Sequence, residues 1–428
     1  MLIMDRTRQQ RLLILILAAA VLIRIPMALY MGDQVSALPG IQDQVTYDAL
    51  AHSLLDGRGY SFTENWYPFT RANTPTAHWS FVYPLYLAGV YGLTGYHPLA
   101  ARLVQAIVAG LLVSFLVYRI GRRVADETTG LAGAALAAVY GYFIYYNVAL
   151  MTETFFIVLV LLSLDLSLEI KEKPVLWRWV SLGLVLGTAA LLRQTVLLFA
   201  PFLLLWLFWE LRNTAFPRWL VTVPVLVIIL MIAPWTIRNY RVYQQFLLLN
   251  SNAGYALYAS NNPNLGADWN NDEVVVPVPT ELRGLNEAQL DRALTQKGIQ
   301  FIVADPPRYM LLTLDKTLEY FKFWPSSESG TSSNLVRVLS FGLYLPFMLL
   351  GLYFSLSRWR NFAVLYLFMV IHTGVHLLSW PAPRYRLSVD AVAMVFAALA
   401  ILEIFRRAAA WRRRPSLINN SVSDKVQS

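Results

Sequence analysis

The chain has 428 residues, no cysteine, a formal net charge of +9, and 14% charged against 57% hydrophobic side chains, with a mean hydropathy of +0.48. That balance excludes a soluble globular domain, and the missing thiols exclude disulfides and thiolate metal sites even where the chain faces an oxidising compartment. The apolar residues come in runs of the length a helix needs to cross a bilayer, which predicts an all-α polytopic membrane protein.

Ten spans are predicted, at 12–31, 99–119, 131–147, 150–170, 177–192, 195–211, 219–236, 334–357, 361–380 and 387–405. The first has the basic start of a secretory signal, but Arg24 interrupts it and no convincing small-residue cleavage site follows, so it reads as a retained anchor. The third and fifth are short, and one of them reads as re-entrant or tilted. Basic residues cluster in alternate connections: Arg6, Arg8 and Arg11; Arg119, Arg122 and Arg123; Lys171, Lys173 and Arg178; Arg212 and Arg218; Arg358 and Arg360; then Arg406, Arg407 and Arg412 to Arg414. With ten spans these all fall on one side, which the positive-inside bias makes cytoplasmic. The net positive charge is then mostly a topology signal, and no nucleic acid is needed as a partner.

Four parts follow: an N-terminal bundle over 1–236 with a first outer loop at 32–98, an extracytoplasmic cap over 237–333, C-terminal spans over 334–405, and a basic cytoplasmic tail over 406–428. The cap is expected to be small and mixed, with a strand at Val274 to Val278 and helices near 286–303 and 306–323. The polar end after Pro415 is expected to be disordered.

In the first outer loop, Tyr47, Leu50, Ala51 and Leu54 recur at helical spacing, predicting an amphipathic helix at the membrane surface that ends at Gly57 or Gly59. Asp43 stands at its start. A carboxylate there suits an N-cap, and it equally suits a general base whose pKa burial raises and nearby arginines lower. Glu153, at the outer mouth of the fourth span, is either a carboxylate favoured by the helix dipole or a partner that orients the base or an acceptor group. Asp165 and Glu169, at the other end of that span, read as structural.

Arg193, Arg238, Arg241, Arg384 and Arg386 fall at outer ends of spans, where positive charge is normally avoided. One such residue would be a snorkelling side chain among membrane lipids. Five at three boundaries, with Asn239 beside Arg238, point to an anionic ligand such as a lipid phosphate, whose oxygens a guanidinium grips in a bidentate fork. His372 and His376 have metal-ligand spacing but no third ligand, so packing or a hydrogen bond near the ligand is the better account. No cofactor is required by any motif; a divalent metal stays open. The aromatics Trp66, Tyr67, Trp79, Tyr83, Tyr86 and Trp324 read chiefly as an interfacial belt, with a minority free to stack on a sugar. No Gly-rich phosphate loop is present, and no pair of broken spans in matching halves marks an inverted-repeat transporter.

Taken in order, these residues resemble the dolichyl-phosphate-mannose protein mannosyltransferase family and its bacterial relatives, including the aminoarabinose transferases. The resemblance runs through Asp43 with Tyr47 and Ala51, Gly57-Arg58-Gly59-Tyr60, Pro75-Thr76-Ala77, Tyr83-Pro84-Leu85-Tyr86, Ala101-Arg102-Leu103-Val104-Gln105 and Thr152-Glu153. It continues with Leu192-Arg193, Pro234 to Tyr240, Asn261-Asn262-Pro263 and Arg384-Tyr385-Arg386-Leu387. It implies a GT-C bundle with short juxtamembrane helices near 44–56 and 80–95, and inverting transfer from a sugar on a polyprenyl phosphate. Asp43 would be the base, Glu153 the second acidic group, and Tyr47, Arg193, Arg238, Asn239, Arg384 and Arg386 the donor and lipid-phosphate site. Trp79-Ser80-Phe81 stands where relatives often carry Arg-Pro-Pro, and Ser388 where a proline commonly follows, which implies a different acceptor shape. Such a chain would be an integral protein of the cytoplasmic membrane working at its outer face on a glycan, lipid or protein acceptor. A flippase or transporter of lipid-linked sugar is the alternative from another class, and a non-catalytic envelope scaffold the third.

Overall fold

The computed structural model describes residues 5–37, 42–66, 70–264, 276–325 and 330–413. Every predicted span coincides with helix. The bundle is built from α1 (Arg6–Met31), α4 (Pro98–Val124), α5 (Glu127–Val139), α6 (Gly141–Tyr146), α7 (Glu153–Glu172), α8 (Leu176–Leu192), α9 (Val196–Leu211), α10 (Thr222–Tyr243), α14 (Thr331–Arg337), α15 (Leu343–Ser355), α16 (Trp359–Leu378) and α17 (Leu387–Arg413). Between them lie the juxtamembrane helices α2 (Asp43–Leu55) and α3 (Val82–Thr94) and the cap helices α11 (Ala253–Ser260), α12 (Glu287–Ala304) and α13 (Pro306–Tyr320). Among the described residues, five segments are long and apolar enough to cross a membrane: Arg6–Met31, Pro98–Val124, Arg218–Tyr243, Ser333–Leu378 and Pro383–Trp411. Ser333–Leu378 is 46 residues long and holds two predicted spans joined at 356–358, while Leu176–Leu192 and Val196–Leu211 are apolar but shorter. The protein is an integral, polytopic, all-α membrane protein.

The predicted third span is not one helix. Tyr140 takes extended backbone (φ −68°, ψ 115°) and separates α5 from α6. A helix end leaves orphan carbonyls, which cannot go unpaired away from water. Arg24, buried in the second half of α1, supplies the donors: its Nη1 reaches the Ala138 carbonyl at 3.1 Å and its Nη2 that of Ala137 at 3.3 Å. The charge that interrupts the first span therefore repairs the break in the third.

α17 is the buried centre of the bundle, with Leu387 through Ala400 almost wholly covered by α4, α5, α7, α15 and α16. Gly351 allows the closest approach: a Cβ there would lie 1.8 Å from the Phe396 carbonyl oxygen on α17. At the predicted cytoplasmic end, Arg119 and Arg123 of α4 straddle Asp165 at 3.0 and 3.1 Å, and Glu169 gathers both arginines and Arg178. Those acids hold helices together, as expected from their position.

At the opposite end, α2 ends at two glycines in the left-handed region, Gly57 (φ +71°) and Gly59 (φ +75°). The helix is more enclosed than its apolar stripe indicates. Tyr47 and Ala51 pack against Tyr83, Leu87 and Tyr91 of α3, whereas Leu50 packs on the other side against Tyr60 and Phe62.

The described part of the cap is helical rather than mixed. Residues 276–279 form no strand, because Val276 and Val278 bury themselves among Tyr258, Leu290 and Leu294 of helices that offer no strand edge; Val274 and Val275 lie outside the described residues. α12 opens with a capping box, Asn286 with Gln289, and α13 with the Asp305 carboxylate on the Arg308 amide at 3.0 Å. Asp291 of α12 accepts the Gly254 amide at 2.7 Å, fixing α11. Burial, and then the charge of Glu287, push the Asp291 carboxyl up from 3.8 to about 6 against the pull of that amide. A raised folded pKa means that the folded cap binds more protons than the unfolded chain between pH 4 and 6, so stability falls as pH rises through that window. Asp291→Asn keeps the acceptor without the charge. It should raise stability at pH 7 by an amount on the order of 2 kcal/mol, read as a higher thermal midpoint, and flatten the dependence between pH 4.5 and 6.5 measured by thermal unfolding.

Candidate active site

Four charged side chains from four separate elements converge beside Tyr47. Asp43 is the first residue of α2, but its carboxylate does not cap that helix. It accepts a hydrogen bond from Nη1 of Arg384, which sits on a 3₁₀ turn, Pro383–Arg386, before α17. The same Nη1 lies 3.9 Å from Oε1 of Glu153, the first residue of α7. Glu153 Oε1 is in turn 3.3 Å from Nη2 of Arg193, in the turn between α8 and α9. The chain of contacts is therefore Asp43, Arg384, Glu153, Arg193, all largely buried, with two carboxylates balanced by two guanidinium groups.

Aromatic side chains fix this cluster. The Tyr385 ring lies under both guanidinium groups, 4.7 Å from Arg193 and 4.9 Å from Arg384. His376 stacks on the same ring at 4.7 Å, and His372 Nε2 lies 3.2 Å from the Tyr385 carbonyl and 3.1 Å from the Ser388 hydroxyl. The two histidines thus support the arginine-bearing turn. Among the described residues no group of three or more His, Asp or Glu side chains could hold a metal. Burial, and then the charges of Asp43 and Glu153, raise the Tyr47 hydroxyl well above its ordinary pKa, keeping it a neutral donor. Tyr47 is held edge-on by Trp79 at 5.7 Å and Tyr83 at 5.0 Å. Burial also pushes His78 down to about 3 despite the nearby Asp43, so its imidazole is neutral.

The other residues expected in the donor site lie elsewhere. Arg238 donates to the Thr76 carbonyl at 2.9 Å and to Asn239 Oδ1 at 3.0 Å, and covers Trp235 at 4.7 Å; among the described residues no carboxylate pairs with it. Asn239 is wholly buried and spends its amide on the Leu247 and Leu249 carbonyls, at 3.3 and 2.8 Å, which makes it a brace for the chain leaving α10. Arg386 does not join Arg384. It is fully buried, pairs with Asp390 at 2.9 Å, donates to the Tyr320 carbonyl, and lies 3.3 Å from the centre of the Phe341 ring. Alternate residues of the Arg-Tyr-Arg run leave the backbone in different directions, so Arg384 reaches the cluster while Arg386 anchors the turn.

Glu287 was not legible as part of this region, since at the start of α12 it resembles any dipole-favoured acid. It is buried and accepts from the Thr70 hydroxyl (2.5 Å), the Ala77 amide (2.8 Å), the Ser251 hydroxyl (3.0 Å) and the Tyr243 hydroxyl (3.2 Å). Tyr243 also donates to the Pro75 carbonyl at 3.0 Å. Pro75, Thr76 and Ala77 are thus each tied to α10 or α12, which sets the wall that continues into His78 and Trp79. Arg102 and Gln105 of α4 act likewise: Arg102 holds the Gly32, Gln34 and Val148 carbonyls, and Gln105 the Asn147 and Ala149 carbonyls and the Tyr83 hydroxyl.

Residues 78–237 match the family model of dolichyl-phosphate-mannose-protein mannosyltransferase. Among solved structures, the chain is similar to the archaeal oligosaccharyltransferase AglB of Archaeoglobus fulgidus in complex with an inhibitory peptide and a dolichol-phosphate, with TM-score 0.60 and 16% identity over 95% of this chain and 52% of that one. The apo form of the Archaeoglobus fulgidus oligosaccharyltransferase gives TM-score 0.62 and 15% identity over 97% of this chain and 52% of that one. The chain has the GT-C fold. This GT-C chain spans about half the length of the structures it matches, and no protein of curated function matches it. The family resemblance read from its sequence is borne out over the mannosyltransferase-like segment and by the fold.

A buried anchoring arginine and an exposed one should separate experimentally. Arg386→Ala leaves Asp390 buried without its cation and should cost about 3–5 kcal/mol, read as a lower melting point and yield in detergent. Arg241→Ala, at an exposed position, should stay within about 0.5 kcal/mol of wild type in the same assay.

Proposed function

We propose that the chain is an inverting glycosyltransferase that moves a sugar from a polyprenyl-phosphate donor to an acceptor hydroxyl at the outer face of the cytoplasmic membrane. The observation that carries this reading is the convergence of Asp43 and Glu153 with Arg193 and Arg384. A mannosyltransferase-family segment at 78–237 and a fold neighbour that holds a dolichol-phosphate add support.

In the proposed reaction the acceptor oxygen attacks the anomeric carbon and gives its proton to Asp43. The bond from that carbon to the phosphate oxygen breaks, and the polyprenyl phosphate leaves with the electron pair. Arg384 and Arg193, with Arg238 at the adjoining wall, stabilise the charge that builds on the phosphate; donors aimed at developing charge are usually the largest catalytic contribution. Glu153 holds both arginines in place. Before the donor arrives, Arg384 is engaged by Asp43. A donor phosphate competes for that guanidinium and so releases the Asp43 carboxylate to take the acceptor's proton when the substrate is bound. The charge balance fits a divalent cation poorly, because the cation would have to displace Arg384 from between two carboxylates, so no step is assigned to a metal.

The test uses purified wild type and Asp43→Asn with labelled polyprenyl-phosphate sugars and a membrane extract supplying acceptors. Wild type should transfer label, and the variant should lose at least ~10²-fold of the rate while keeping its melting point. Transfer by the variant at the wild-type rate would remove Asp43 from the reaction. If neither protein transfers label yet both bind the lipid, the carrier reading replaces the enzyme.

The competition for Arg384 gives a separate expectation. Asp43→Asn frees the guanidinium, so the inactive variant should bind sugar-free polyprenyl phosphate several-fold more tightly than wild type in a detergent binding assay. Equal or weaker binding would show that the phosphate does not use Arg384.

A further inference from the structure

The cap helix α13 is built inside out. Met310, Leu311, Leu314 and Leu318 are 58–70% exposed, whereas Lys316 and Tyr320 on the opposite face are fully buried. At 100° per residue the exposed apolar side chains, with Pro307, fall within an arc of about 100°. The enclosed side carries the polar groups: Arg308 donates to the Asn261 and Asn262 carbonyls at 3.0 and 2.9 Å, and Lys316 to Asn261 Oδ1 at 3.1 Å. Asp315, at the edge of the apolar arc, is the one acid on the open side. A helix facing water from a protein surface would have the reverse arrangement, and a contiguous apolar face of this kind marks a covered surface.

What covers it follows from where the face leads. The Tyr309 hydroxyl donates to the Leu378 carbonyl at 3.1 Å, at the end of α16. Past Tyr320, Phe323 lies against Gly342 at the start of α15, beside Leu335, Leu339 and Leu343, which are all exposed on that apolar span. These contacts hold α13 beside the exposed apolar flank of α14 and α15. We infer that α13 lies in the bilayer interface with Met310, Leu311, Leu314 and Leu318 among the acyl chains, a membrane-seated helix within the cap. Its polar side then holds the Asn261-Asn262 segment and the turn before α17, fixing the height of the cap above the bilayer. Interfacial helices of this kind bury an apolar face roughly 5–10 Å below the headgroups.

The absence of cysteine from the sequence makes the test direct. Leu314→Cys, Leu318→Cys and, as a water-facing control on α12, Gln296→Cys are each spin-labelled and placed in phosphatidylcholine–phosphatidylglycerol vesicles. Melting points matching the parent chain confirm that the labels leave the fold intact. Collisions with oxygen should exceed those with a water-soluble nickel chelate several-fold at 314 and 318, and the order should reverse at 296. The inference is overturned if the chelate reaches 314 and 318 as readily as 296. It is equally overturned if both reagents are excluded there, since a protein surface, from a partner or a second copy, would then cover the face.

Discussion

A cation buried in a helical bundle must find a carboxylate or a full set of carbonyls, and that constraint organises this structure. Arg24, Arg102 and Arg386 are each within 1% of complete burial. Arg24 and Arg102 bind carbonyls where helices or loops end, and Arg386 takes Asp390 and one carbonyl. Each marks a place where the backbone departs from regular helix and its freed carbonyls need donors. Irregular segments near the cluster are therefore held by arginine, without help from cysteine or, on the described residues, a three-ligand metal group.

The same constraint separates the anchoring arginines from those at the candidate site. Arg24 and Arg102 have fixed carbonyl partners, and Arg386 is closed in by the Phe341 ring. Arg193 and Arg384 pair with carboxylates on the first residues of α7 and α2, at a boundary between bundle and loops. Burial alone would rank Arg386 above Arg384 as a functional cation. The partner decides otherwise, because a guanidinium already committed to an i,i+4 acid on its own helix end has little left to offer a ligand.

Much of this was legible in the sequence, and the omissions have physical causes. Span positions follow from apolar length, the helices at 43–55, 287–304 and 306–320 from their sequence pattern, and the one at 82–94 from the family resemblance, so these emerged within a few residues. Asp43, Glu153, Arg193 and Arg384 could be singled out because charge at an apolar boundary is costly. Their mutual contacts could not, since they join distant elements, Asp43 and Arg384 being 341 residues apart. The third span is marked in the sequence only as short; the break at Tyr140 itself is not, because Gly141 and its aromatic neighbours are ordinary inside a span, and the donor that permits it lies on another helix. Arg386 stands at an apolar boundary as Arg384 does, and Asn239 stands beside Arg238, so the sequence alone does not separate them from the donor site. In three dimensions Arg386 leaves the turn in a different direction from Arg384, and Asn239 is committed to carbonyls beyond the end of α10. Glu287 carried no signal, because its four donors come from three segments that meet only in the fold.

The pairing of Asp43 with Arg384 also bears on why arginine rather than lysine serves in the proposed chemistry. Two carboxylates at one buried mouth repel, and leaving either uncompensated would be expensive. Guanidinium groups between them cancel that repulsion in the resting state. When a phosphate enters, it replaces one charge-assisted hydrogen bond with another of similar strength, so the exchange avoids a stage with a bare buried charge. A lysine offers a single point of charge and would have to abandon Glu153 to follow the phosphate. The planar fork of Arg384, already seated on Tyr385, presents several donors at once and can turn from Asp43 to the phosphate while staying beside Glu153. In the proposed reaction the lipid phosphate thus exposes the base that acts beside it, and the site remains charge-balanced until a donor is bound.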